Sequence, residues 1–352
     1  MLNLNFFLII SIVSHFFLFY ILSKKNFIFF NKNRKKQIRW GDSNKSHYGG
    51  VAFYLTYLFF FIYLMLNNTL YILSEKFYIL FIIISIISIY GLIDEKFILK
   101  AKFKFFFQLF ISYILIKSGI ELKLFFDQDL NFIFNLVWYL FFFNAFNFVD
   151  NIDLGYFSSA IPSLFFFFIC SYLYDFDIYL EILAIIYFGG LIIFALFNRF
   201  PSKIFLGEIG SAQLTAIILI LSYFFVWKER EFVNHQTSLF EFLKNNLFYT
   251  FIFIDFLVTS MRRIYLRKSL YSGDTNHISH KFTKIIPVNY FSLYVIILGI
   301  LSTGFYYILE NHLNSPNWQN ILIVFSYYIF ILIINLVLYF HCLKKNVSKS
   351  KV

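Results

Sequence analysis

Between Leu4 and Leu22 the chain carries no Asp, Glu, Lys or Arg, and apolar runs of the same kind recur between short polar breaks almost to its end. A helix that crosses a bilayer needs about 20 predominantly apolar residues, with a usual range of about 17 to 25. Reading the runs between breaks gives eleven expected spans, near 4–22, 51–66, 76–93, 103–118, 132–148, 157–174, 179–197, 205–226, 246–261, 290–308 and 320–342. The expectation is an all-α, polytopic membrane bundle forming a single domain over residues 1–352, without repeats, linkers or a soluble module.

Charge sets the orientation. Most of the 30 Lys and Arg residues fall in alternate connecting segments, the richest being Lys24 to Lys45, Arg262 to Lys284 and the tail Lys344 to Lys351. By the positive-inside rule those segments are cytoplasmic, which puts the N-terminus outside and the C-terminus inside. A net charge of +11 in a chain that is 60% hydrophobic and 14% charged therefore reads as basic loops, not as a nucleic-acid surface. Residues Met1 to Tyr20 have neither a basic start nor a small-residue cleavage site, so they are expected to be a first span and not a removed signal. Cys170 and Cys342 both fall in expected spans and give no disulfide or metal spacing.

Five polar clusters stand out, and the charge-based topology brings all of them to the cytoplasmic ends of spans. They are Lys45 to Gly50; Gly91-Leu92-Ile93-Asp94-Glu95 with Lys104 and Gln108; Asn144 to Asp153; Asn198 to Ser211; and Asp274 to His280. An uncompensated carboxylate at mid-bilayer costs about 2.5 to 3.5 kcal/mol, so Asp150 and Asp153 beside such apolar runs ask for a reason. If their segment is helical, the spacing puts both on one face, where a hard cation such as Mg²⁺ or Mn²⁺ shared with substrate phosphates relieves their repulsion. Asp94 and Glu95, taken alone, read as a solvated helix end with Lys96 and Lys100 as counter-ions. The stretch Pro201 to Ser211 has glycines for close backbone approach and one acidic residue, Glu208, but not the order of a Walker A loop. His277 and His280 sit beside Arg262, Arg263, Arg267, Lys268 and Lys281, a setting that suits an anionic substrate or an anionic membrane surface. Together the clusters suggest metal-assisted chemistry on a phosphorylated, lipidic substrate.

The order of these motifs resembles that of the polyprenyl-phosphate N-acetylhexosamine-1-phosphate transferases, the glycosyltransferase family 4 group that holds the WecA-type and MraY-type enzymes. The resemblance runs from about Arg39 to Phe282. Lys45 to Gly50 looks like the family's Pro-x-x-Gly-Gly element without its proline. Gly91 to Glu95 with Lys104 and Gln108 looks like G-x-x-D-D, with Glu95 for the second Asp. Asn144, Asn147, Asp150 and Asp153 match N-x-x-N-x-x-D-x-x-D, but Leu154-Gly155 stands where Gly-Leu is usual, a glycine read as clearance for a substrate group. Pro201 to Ser211 is similar to P-A-K-I-F-M-G-D-x-G-S, with Glu208 for Asp, and His277 to His280 is similar to the H-x-x-H loop.

What the resemblance implies is transfer of N-acetylhexosamine-1-phosphate from a UDP-sugar, such as UDP-N-acetylglucosamine, to undecaprenyl phosphate, at the cytoplasmic face of a bacterial inner membrane. The product would start a lipid-linked envelope glycan of the lipopolysaccharide, O-antigen or cell-wall kind. It implies Mg²⁺ (or Mn²⁺) held by Glu208 and Asp150. Asp94, Glu95, Asp150, Asp153, His277 and His280 form the catalytic set, and Lys104, Asn144, Asn147, Lys203 and Phe205 meet substrate, Phe205 by stacking on uracil. A homodimer is also expected. Two other readings stand beside it. One is a transporter that binds a coupling ion at Asp150 and Asp153, although broken helices and internal repeats are not visible; the other is a non-catalytic member of the family that serves as an assembly partner.

Overall fold

The computed structural model describes residues 4–24, 45–66, 75–97, 99–227, 235–267, 277–313 and 317–349. Among them the chain is helical, and its one trace of β pairing is a parallel bridge between Ser46 and Ile204. The basic stretch 25–44, residues 268–276 and the last three residues lie outside the described residues, as does Asp274.

Each expected span falls on a helix. In chain order these are α1 Leu4–Leu22, α2 Gly49–Leu66, α3 Glu75–Phe97, α4 Ala101–Lys117, α5 Gln128–Val149, α6 Gly155–Leu173, α7 Ile178–Asn198, α8 Gly207–Ser222, α9 His235–Asn245, α10 Thr250–Tyr265, α11 Ile278–Phe282, α12 Val288–His312 and α13 Trp318–Lys349. Among the described residues, 9 helices are long and apolar enough to cross a membrane. The two expected spans not in that set, near 103–118 and 246–261, are the shorter helices α4 and α10, of 17 and 16 residues. The short helices α9 and α11 were not expected from the apolar pattern, because each is too short and too polar to read as a span.

The bundle is built around α8. Apart from Glu208 and Ala212 every residue of that helix is buried, and it packs against α2, α3, α5, α6 and α7. A helix that is apolar on all sides belongs in the middle of a bundle, and its composition places α8 there. On the perimeter, α1 lies along α7, α4 along α5 and α12 along α6, with residues such as Phe16, Phe106 and Phe330 turned outward. Such an outward apolar surface is what lipid tails require, so the chain is a multi-pass membrane protein.

Contact between α8 and its neighbours is closest at glycines. A Cβ on Gly50 would lie 2.1 Å from the Gly210 backbone nitrogen, and one on Gly91 would lie 2.3 Å from the Ile209 Cα. Small residues let helix backbones approach in lipid, where van der Waals packing replaces the hydrophobic drive. We expect Gly50→Ala to push α2 off α8 and to cost about 1–3 kcal/mol, the range for overpacking. Its thermal midpoint in detergent should fall below that of the parent protein, and an equal midpoint would contradict the close packing.

Candidate active site

Three helix ends meet where the glycines hold α2, α3 and α8 together. The last turns of α3 carry Asp94 and Glu95, both buried; the first turn of α4 carries Lys104; the first turn of α8 carries Glu208. The Lys104 ammonium lies 2.7 Å from Asp94 Oδ2 and 3.2 Å from Glu208 Oε1, so one cation offsets the repulsion of two carboxylates from different helices. Asp94 also accepts the Leu99 amide at 2.9 Å, which fixes the turn between α3 and α4 and hence the place from which Lys104 reaches in.

Glu95 has a different task. Its Oε2 accepts the Glu208 amide at 3.1 Å, a carboxylate set against the amide groups of a helix N-terminus, where negative charge is favoured. Its Oε1 lies 3.8 Å from His47 Nδ1. The expectation that Asp94 and Glu95 form a solvated end neutralised by Lys96 and Lys100 is therefore corrected: both are buried, and Lys104 and His47 are the groups that face them.

The stretch ahead of α8 is held like a short strand. Phe205 donates its amide to the Ser46 carbonyl at 2.8 Å, while Gly49 and Gly50 donate to the Phe205 and Leu206 carbonyls at 3.0 and 2.8 Å. Gly207 then turns the chain into α8 with φ +75°, and a Cβ there would meet the His47 carbonyl oxygen at 2.2 Å; both facts call for glycine. Phe205 is buried, with the His47 ring 5.1 Å from its own and the Lys45 ammonium 5.5 Å above it. Lys45 also donates to Ser202 Oγ at 3.2 Å. Lys203, by contrast, is exposed and lines a separate cleft with Arg199 and Pro201.

Asn144 to Asp153 is helical only as far as Val149. Asp150 is the residue that ends α5, and Asp153 lies in the turn that follows, so the two do not share a helix face. Asn144 donates to Gln108 Oε1 at 3.0 Å and ties α5 to α4, and Asn147 is half-buried on the same end. Asp153 Oδ2 accepts the Ser202 amide at 3.0 Å, while its Oδ1 is buried without a hydrogen-bond partner among the described residues. Leu154 has φ 60° and ψ 4°, a left-handed conformation that costs a side-chain-bearing residue about 1–2 kcal/mol. That supplies a backbone reason for a glycine at this position in place of clearance for substrate. Gly155 is required in its own right, since a Cβ there would lie 2.1 Å from the Val149 carbonyl oxygen.

His277 and His280 are not presented to an open loop. His277 Nδ1 lies 3.1 Å from Asp255 Oδ2 and 3.3 Å from Thr259 Oγ1, and Asp255 Oδ1 accepts the Ile278 amide at 3.0 Å. His280 is fully buried. Asp255, Thr259 and Arg263 recur every fourth residue on the buried face of α10, and the Arg263 guanidinium stands 4.9 Å over the Phe148 ring, which His277 also meets at 5.1 Å. This polar stripe therefore locks α10 and α11 to the end of α5. Sequence reading missed Asp255 and gave His47 no role. The available signal was a lone carboxylate inside an apolar run, with Thr259 and Arg263 at helical spacing beyond it.

Among the described residues no group of three or more His, Cys, Asp or Glu side chains is arranged to hold a metal ion by itself. The donors that do gather near Lys104 are carboxylate oxygens without thiolates, a set suited to a hard divalent ion that takes its other ligands from substrate phosphates and water.

The central segment, residues 77–226, matches Glycosyl transferase family 4. The chain is also similar to a Bacillus subtilis (strain 168) protein named probable undecaprenyl-phosphate N-acetylglucosaminyl 1-phosphate transferase, at 24% identity over 71% of this chain and 69% of that one. A stretch of 90 residues is 39% identical to the phospho-N-acetylmuramoyl-pentapeptide-transferase of Streptococcus pneumoniae serotype 2, covering 25% of this chain and 27% of that one. These likenesses bear out the resemblance drawn from motif order.

For the stripe on α10, Asp255→Ala strips the Ile278 amide and His277 of their acceptor. An unsatisfied buried group costs about 1–3 kcal/mol, so the thermal midpoint should drop clearly, and less in Asp255→Asn, which keeps one acceptor. Equal midpoints for all three proteins would show that the stripe does not hold these helices.

Proposed function

We propose that this chain, whose residues 77–226 match Glycosyl transferase family 4, transfers N-acetylhexosamine-1-phosphate from a UDP-sugar to a polyprenyl phosphate. A phosphate oxygen of the lipid attacks the sugar-linked phosphorus, the bond from that phosphorus to the bridging oxygen breaks, and UMP leaves with that oxygen. The observation that carries this reading is the Lys104 ammonium shared between Asp94 and Glu208, beside Glu95 and His47, at the end of the bundle. Phosphoryl transfer asks a protein chiefly for positioning and charge stabilisation, and a cation on one helix end flanked by carboxylates from two others is suited to both.

Glu208 and Asp150 are the residues proposed to hold Mg²⁺ or Mn²⁺. When bound, the ion supplies charge neutralisation to the diphosphate and to the departing UMP. Asp94 orients the incoming lipid phosphate and takes up its proton if it carries one. Lys104 exchanges a carboxylate for a diphosphate oxygen, and Glu95 keeps the α8 N-terminus aimed at the site. Asn144, Asn147 and Asp153 shape the nucleotide side, and His277 and His280 hold the wall that bounds the sugar. The reading further places this end of the bundle at the cytoplasmic face of a bacterial inner membrane and the protein in a homodimer, with the basic segments as its support.

The test is release of UMP by purified protein given polyprenyl phosphate, Mg²⁺ and each UDP-N-acetylhexosamine in turn. Asp94→Asn and Glu208→Gln should each lower turnover by about 100-fold or more, the scale for loss of one charge-stabilising group. Absence of UMP with every donor would reject the function; full turnover in either variant would reject the role of that carboxylate.

A further inference from the structure

A cleft of about 310 Å³ lies just past the end of α7, lined by Leu196, Phe197, Arg199, Phe200, Pro201, Lys203 and Asn289. None of the lining residues is acidic, and neither Arg199 nor Lys203 makes an ion pair among the described residues. Both cations are exposed, as are Leu196 and Phe200 beside them on the outer surface of the bundle. The backbone beneath is fixed from within. Asn198 holds the Leu154 amide at 2.7 Å and the Ile204 carbonyl at 2.8 Å, and the Lys203 amide bonds the Phe197 carbonyl at 2.7 Å. The cations therefore project from a firm platform at the end of a membrane span.

We propose that this cleft binds an anionic phospholipid of the surrounding bilayer, its phosphate headgroup between Arg199 and Lys203 and an acyl chain along Leu196 and Phe200. The pairing of two uncompensated cations with an outward apolar wall fits a ligand that has a charged head and an oily tail. A soluble nucleotide would leave the apolar side chains wet, and a neutral lipid would leave the cations without a counter-charge. Basic pockets at a membrane face attract anionic headgroups, and the attraction falls off within a Debye length, so salt should weaken it. The inference does not depend on the transferase reading, because its readout is lipid retention and not turnover.

The experiment is native mass spectrometry of the protein in an uncharged detergent, with phosphatidylglycerol or phosphatidylcholine added. Phosphatidylglycerol should be retained at least ~5-fold better than phosphatidylcholine at low salt, and Arg199→Gln with Lys203→Gln should remove the difference. Lys117→Gln with Lys123→Gln, at the last residue of α4 and in the loop that follows, should leave it unchanged. Asn289→Asp, which sets a carboxylate in the cleft and keeps both cations, should weaken retention independently if the double variant fails to fold. Equal retention of the two lipids by the parent protein, or undiminished phosphatidylglycerol on the variants, overturns the proposal. Displacement of the lipid by glycerol phosphate at matching concentration would assign the cleft to a free phosphate instead, and displacement by UDP to a nucleotide.

Discussion

The contact between the backbones of α2, α3 and α8 is the constraint on which the site depends. Gly50 faces Gly210 and Gly91 faces Ile209 with no room for a methyl group, so three helices converge at one end more closely than ordinary side chains permit. A lysine reaching in from α4 can then touch carboxylates on two of them at once. In hydrocarbon, where burying an apolar side chain against another helix gains little over burying it against lipid, close fit takes over the task that the hydrophobic effect performs in water.

A second lysine held between two carboxylates shows what is particular about Lys104. Lys244, at the end of α9, lies 2.8 Å from Glu241 and 2.7 Å from Glu310, again one ammonium between two carboxylates. Its side chain is 0% exposed, whereas that of Lys104 is 28% exposed. The sealed ammonium clamps α9 to α12, because a buried charge is costly to separate from its counter-ions. Partial exposure leaves Lys104 able to trade one anion for another, as the proposed function asks of it.

How much of this was legible in the sequence follows from the kind of signal each feature leaves. Helices were readable because lipid demands long apolar runs, and nine of the eleven expected spans fall on described helices long and apolar enough to cross a membrane. The clusters around Asp94, Lys104 and Glu208 were readable as polar residues that such runs should exclude. Which clusters touch was not readable, since that is settled by helix packing across more than a hundred residues of chain; Glu95 meeting the Glu208 amide is one instance. Asp150 and Asp153 would share a helix face only if their segment were helical, and the chain leaves the helix at Val149. The same blindness to tertiary partners set His277 in an open loop, when Asp255 on the preceding helix had already claimed its ring nitrogen.

Asn198 spans two motifs that are far apart in sequence. One side-chain amide receives the Leu154 amide on its oxygen and donates to the Ile204 carbonyl from its nitrogen, while Asp153 and Ser202 are joined alongside. The corner after α5 and the segment before α8 are thus welded into a single rigid jaw. Any adjustment of the site must then come from the opposing jaw, the α3–α4 turn, which meets α8 through the Glu95 carboxylate on the Glu208 amide and through Lys104 between Asp94 and Glu208.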